Sequence, residues 1–176
     1  HYYTVNVTQF TEQILPTGFG PTTVWGYGGL IQTSAGLVYF RNSPGATFEA
    51  TRGIPIAVEW QNKLTGPHLF AVDPTLHWAD PKGMGMPMPP FPTFPPGFPQ
   101  AQSPVPIVTH LHGGEVQSYY DGGPDEWFTP GATPIKGPGY STYTTPSIPS
   151  AAVYYYPNTQ LPTTLWYNDH ALGMTR

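Results

Sequence analysis

An all-β Greek-key sandwich or barrel is the fold this sequence predicts, on three observations. Proline and glycine, 24 and 20 of the 176 residues, interrupt almost every window long enough for a core helix. Hydrophobic residues still make up 39% of the chain and aromatic residues 15%, so the proline and glycine load does not mean disorder. Between the Gly and Pro turns, short segments alternate apolar with polar side chains, which is the period of a half-buried strand.

The elements follow in order. His1 to Phe10 reads as a strand with Tyr3, Val5 and Val7 on one face and Thr4, Asn6 and Thr8 on the other. Pro16 to Pro21 is a turn, and Thr22 to Tyr27 a short strand ended by Gly28-Gly29. Ser43-Pro44-Gly45 is the next turn. Ala46 to Thr51 is predicted as a strand, Arg52-Gly53 as a tight connection, and Ile54 to Asn62 as a longer strand. In that last segment Ile54, Ile56, Val58 and Trp60 alternate with Pro55, Ala57, Glu59 and Gln61; Pro55 lacks an N–H and belongs near the strand's start or on an edge.

From Pro81 to Pro106 the composition changes to a Pro/Met-rich insert that cannot supply ladder N–H groups and is expected to run over the surface as polyproline II. Met84, Met86 and Met88 alternate within it. Two readings stand for them, a thioether site for Cu(I) and plain apolar packing beneath an extended loop. Beyond the insert come a strand from Ile107 to Leu111, a Gly/Pro/Thr-rich loop from about Glu115 to Ser150, and strands Ala151 to Tyr156 and Thr163 to Asn168 around the turn Pro157 to Gln160. Seven to nine short strands are expected in a single domain over residues 1–176, with no internal repeat.

Composition also excludes partners and chemistries. Six basic against ten acidic residues give a net charge of −4 without a basic cluster, which argues against nucleic acid and anionic membrane surfaces. No apolar run approaches the roughly 20 residues that span a bilayer. With no cysteine, this chain holds no disulfide, thiolate metal site or cysteine nucleophile.

The residues that carry chemistry fall in three stretches. His110-Leu111-His112 projects two imidazoles from one face of a strand while Leu111 packs the other way. Such a pair suits copper or zinc, and equally describes two half-exposed strand histidines. Asp121 to Glu126 is a candidate acidic site or a solvated turn. Leu165 to His170 ends an aromatic segment on an imidazole, which is a ligand or a hydrogen-bonded histidine.

Taken together, Thr109-His-Leu-His-Gly-Gly114, Asp121-Gly122 followed by Trp127, Tyr156-Pro-Asn158 and Thr164 to Arg176 resemble the first domain of multicopper oxidases, in the group of spore-coat laccase, bilirubin oxidase and phenoxazinone synthase. Thr23 to Tyr27, Pro44 to Phe48 and Arg52-Gly53 agree with it, and the resemblance covers nearly everything but the Met/Pro insert. It implies a cupredoxin fold and a share in a trinuclear copper cluster that reduces dioxygen to water. By position it makes His110 a type 2 copper ligand and His112 and His170 type 3 ligands. Asp121 matches the family's proton-relaying acid near the type 2 copper. The family's other type 3 ligand in the last motif is a histidine where this chain has Asn168, whose amide offers only a hard carbonyl oxygen. A natural variant, an engineered change and a misassigned residue all account for Asn168.

The resemblance further implies that the type 1 copper site, which requires a cysteine, and the remaining cluster histidines lie in other cupredoxin domains. Those domains belong to a longer polypeptide, of which this chain is a fragment or cleavage product, or to the companion subunit of a split enzyme. Two functions are expected from different classes. One is the N-terminal part of a copper oxidase taking single electrons from phenols, related organics or metal ions. The other is a catalytically retired cupredoxin module with a copper-binding, structural or assembly role. Family habit makes the protein extracytoplasmic, and Asn6-Val7-Thr8 is a glycosylation acceptor triplet.

Overall fold

The computed structural model describes residues 1–85, 88–90 and 99–174. Seven strands form among them: β1 (Tyr2–Glu12), β2 (Thr22–Thr33), β3 (Gly36–Arg41), β4 (Ile56–Asn62), β5 (Thr109–His112), β6 (Ala151–Tyr156) and β7 (Trp166–Asp169). The described helical residues are two three-residue 3-10 turns, Pro99–Ala101 and Ser118–Tyr120. Five strands make one sheet in the order β3-β2-β1-β4-β6, and β5 pairs with β7 in a second. The β1–β4 pairing is parallel and the others are antiparallel.

The sheets face each other through aromatic rings. Tyr167 of β7 meets Tyr27 of β2 and Trp60 of β4 at ring-centroid distances of 5.0 and 5.4 Å, and Phe48 completes the cluster at 5.6 Å from Tyr167. Trp60 is buried and its indole N–H donates to the Tyr156 hydroxyl at 3.0 Å, so the large ring leaves no orphaned donor in the core. Val5, Val7, Val58, Val105, Ile107 and Phe128 fill the space around these rings. The architecture is the predicted β-sandwich.

Several local expectations change. Gly28-Gly29 does not end β2, which continues to Thr33 and turns back as β3, a strand the sequence reading omits. Glycine is required here by close approach: a Cβ on Gly29 would stand 2.7 Å from the Thr4 carbonyl oxygen across the ladder. Residues 46–51 form no strand, and the Ala46 carbonyl accepts from the Tyr167 hydroxyl at 2.6 Å instead. The strand expected from Ile54 starts at Ile56, after Pro55. Ile107 makes only an isolated bridge to Phe128, so β5 runs from Thr109 to His112 rather than from Ile107 to Leu111. The last strand is Trp166–Asp169 rather than Thr163 to Asn168. Of the methionine row, Met88 is exposed, while Met86 and the stretch 91–98 of the insert lie outside the described residues.

The long loops are tied down by buried polar groups. The Asn62 amide, 1% exposed, donates to the carbonyls of Val105 and Phe128 at 2.9 and 3.0 Å, joining β4 to the segments on either side of the 109–126 region. Glu59 of β4 holds the far end of the polar loop. Its carboxylate accepts from the Ser147 hydroxyl and amide at 2.5 and 3.1 Å, from Gln61 at 2.7 Å and from the Tyr2 hydroxyl at 2.6 Å. Burial alone would push this carboxyl up, but the hydrogen bonds outweigh it and hold Glu59 below the usual glutamate value. A lowered folded value stabilises the protein above the unfolded carboxyl's pKa of about 4.5 and loses that contribution as pH falls through the folded value. Glu59→Gln is therefore expected to cost about 2 kcal/mol of unfolding free energy at neutral pH. In denaturant melts the gap from wild type should shrink steadily below pH 4.5; a gap that stays constant to pH 3 would contradict this account of Glu59.

Candidate metal centre

The antiparallel pairing of β5 with β7 decides where the candidate residues stand. Its register sets His110 opposite Asn168 and His112 opposite Trp166, with Thr109 opposite Asp169 and Leu111 opposite Tyr167 between them. Side chains directly across a ladder share a face, and so do residues two apart on one strand. His110, His112, Trp166 and Asn168 therefore occupy one side, while Leu111 and Tyr167 turn into the core. A cavity of about 660 Å³ is lined by Tyr27, Phe48, Trp60, Leu111 and Tyr167 and reaches Trp166 and Asn168.

The structure sets His110 beside each of the other two candidate imidazoles. The His110 and His170 ring centroids are 4.8 Å apart, and those of His110 and His112 are 5.5 Å apart. His112 is exposed and stacks on Trp166 at 4.4 Å with the rings 23° from parallel, a contact the sequence reading did not anticipate.

His170 is set by backbone contacts on both sides. Its N–H donates to the Val108 carbonyl at 2.8 Å. The carboxylate of Asp169 accepts from Val108 N–H at 3.0 Å and Ala171 N–H at 3.2 Å, so this residue staples the end of β7 to the start of β5. Burial, opposed by those two backbone hydrogen bonds, pushes Asp169 up to about 7. Burial first, and then the neighbouring His110 ring, hold His170 below the ordinary histidine value, against the Asp121 carboxylate and the Gly122 backbone acting the other way. The ring is thus kept neutral at physiological pH, the form in which imidazole binds metal.

Asp121 lies beside the first histidine. His110 Nδ1 donates to the Asp121 carbonyl oxygen at 2.5 Å and stands 3.4 Å from Asp121 Oδ1. A carbonyl can only accept, so Nδ1 carries the proton and Nε2 keeps the free lone pair. Two polar atoms on this face are buried without a partner: His170 Nδ1 and Asn168 Oδ1. Unsatisfied buried donors and acceptors are costly, and beside neighbouring imidazoles they fit an electrophilic ion that supplies the missing contact. Among the described residues no group of three or more His, Asp or Glu side chains is gathered closely enough to hold a metal ion.

Known proteins give the chain its relatives. No protein-family model matches it. A rice protein (Oryza sativa subsp. japonica) named multicopper oxidase LPR1 homolog 1 is 40% identical over 144 residues, which are 82% of this chain and 19% of the relative. A laccase of Bacillus subtilis (strain 168) is 31% identical over 175 residues, 99% of this chain and 26% of the relative. A laccase of Haloferax volcanii is 33% identical over 175 residues, 99% of this chain and 24% of the relative. The chain thus spans between about a fifth and a quarter of the length of these relatives.

The turn that carries Asp121 has no room for a side chain at Gly122. Its φ is +74°, and a Cβ there would collide with the Thr109 carbonyl. Gly113 has a similar φ of +83° but would meet only the flexible end of Leu165. Both alanine variants pay the left-handed backbone cost of about 1 kcal/mol. Gly122→Ala is expected to lower the melting temperature at least about twice as far as Gly113→Ala, and equal losses would show that the 109–122 contact is not tight.

Proposed function

The chain belongs to the multicopper oxidases as a cupredoxin-like β-sandwich, and from that premise we propose that it is the first domain of such an oxidase and supplies part of its trinuclear copper centre. The observation that carries the reading is the placing of His110 beside both His112 and His170 on one side of the β5–β7 pair, with His170 Nδ1 and Asn168 Oδ1 left as orphaned buried atoms. His110 would serve as the type 2 ligand and His112 and His170 as type 3 ligands, with donors from other cupredoxin domains, in the same polypeptide or a separate chain, completing the set. Copper held there would supply the redox chemistry, coupling one-electron oxidation of phenols, related organics or metal ions to the reduction of dioxygen to water.

This chain's own residues orient and protonate. The Asp121 carbonyl fixes the His110 tautomer, so the free lone pair is on Nε2. The Asp121 carboxylate, 40% exposed and 3.4 Å from the same ring, can take a proton from solvent and release it toward the histidine face during oxygen reduction. Trp166, stacked on His112, limits the rotation of an otherwise exposed ring. The same family context makes an extracytoplasmic location the expected one.

Asn168 favours a second reading. An amide oxygen in place of an imidazole weakens one type 3 position, as in a cupredoxin module that has lost catalysis and kept a copper-binding or structural role. Asn168→His separates the two. In the copper-loaded full-length protein it is expected to raise the copper-to-protein ratio and the rate of oxygen uptake, each at least about twofold, and unchanged copper and uptake would refute the account of this position. Asp121→Asn should slow oxygen uptake about tenfold or more at unchanged copper content; if copper is lost instead, the carboxylate is structural. His110→Ala and His112→Ala should each lower bound copper, measured by metal analysis, and retention of full copper by both would sink the reading.

A further inference from the structure

Glu126 is a buried carboxylate with no part in the chemistry described so far. It is 7% exposed, in a place where an apolar side chain of similar size would avoid the desolvation cost of a carboxyl group. Its Oε2 accepts from the Gly122 N–H at 3.2 Å and from the Tyr154 hydroxyl at 3.1 Å. Tyr154 is a wholly buried residue of β6, so the carboxylate is anchored to the rigid main sheet.

The Gly122 N–H and the Asp121 carbonyl belong to one peptide unit. That unit is planar and trans, so its N–H and C=O point in opposite directions. Glu126 grips one end and His110 Nδ1 the other. Hydrogen bonds in series polarise one another, and a carboxylate on the N–H makes the carbonyl a stronger acceptor. The positive φ of Gly122 and its closeness to Thr109 leave this peptide little freedom to turn over.

We infer that Glu126 is a positioning residue which, held by Tyr154, fixes the ring orientation and the Nδ1-protonated tautomer of His110 through the Asp121–Gly122 peptide. This deepens the metal-centre reading and rests on it for its purpose, since a ring with Nδ1 protonated offers Nε2 to an ion. The contacts themselves are independent of any ion.

The experiment reads the tautomer directly. Full-length protein labelled with 15N in histidine is examined without metal at pH 7.5 by two-bond 15N–1H correlation, which reports the proton on each ring nitrogen. Wild-type His110 should be protonated on Nδ1 over Nε2 by at least about 10:1. Glu126→Gln keeps the shape and weakens the acceptor, Tyr154→Phe frees Oε2 without emptying the core, and Glu126→Leu removes the acceptor altogether. Each is expected to lower the His110 ratio, by about three- to tenfold in Glu126→Leu and by less in the other two, while the His68 and His77 signals keep their folded positions. If Glu126→Gln and Tyr154→Phe, folded by those two markers, both leave the His110 ratio at the wild-type value, the inference is overturned. Added Zn2+ distinguishes it from the metal reading. A His110 ratio that responds to Glu126 while Zn2+ moves none of the His110, His112 and His170 signals supports the positioning role and counts against the metal centre. Zn2+ binding with an unresponsive ratio does the reverse.

Discussion

Four residue pairs between β5 and β7 carry the rest of the site. Their antiparallel register uses the two-residue period of a strand twice, once along each segment and once across the pair. One side of the resulting ribbon is aromatic and aliphatic and packs on the main sheet; the other gathers imidazoles, an amide and an indole. Slipping either strand by one residue would drive His110 and His112 into the Tyr27, Phe48 and Trp60 cluster and push Leu111 into solvent. The register is therefore specified by burial of Leu111 and Tyr167, and the histidine positions follow from it.

A two-stranded ribbon is marginal by itself, and its stability here comes from outside the ladder. Tyr167 ties it to β2 and β4 through rings and to Ala46 through its hydroxyl. The carboxylate of Asp169 joins the end of one strand to the start of the other. Long irregular segments reach the same place under the control of single buried polar side chains, Asn62 beneath Val105 and Phe128 and Glu126 beneath Gly122. Each replaces a missing ladder by saturating backbone groups that burial would otherwise leave unpaired.

The strands with clear alternation were legible from the residues. Tyr2–Glu12 and Ile56–Asn62 lie close to where the pattern puts them, and the unbroken apolar run Ala151–Tyr156 was placed with the same bounds. The misreadings have a common cause. Gly28-Gly29 suggested a break because glycine is a poor strand former in isolation, whereas its lack of a side chain is what lets β1 and β2 approach. Residues 46–51 have strand-like composition but pair with no strand of either sheet, and pairing is a property of the whole fold.

What the sequence by itself determined is the chemical identity of the site: imidazoles at 110, 112 and 170, an acid at 121, an amide at 168, and no thiol anywhere. Spacing of two along a strand also made His110 and His112 neighbours. The approach of His170 to His110, the stacking of Trp166 on His112, the orphaned Asn168 Oδ1 and the grip of Glu126 on the Asp121–Gly122 peptide were decided only in three dimensions. The reason is physical. Each of these contacts joins residues whose separation is fixed by strand register or by a turn's backbone angles, and both are settled by which apolar side chains the assembled core can bury.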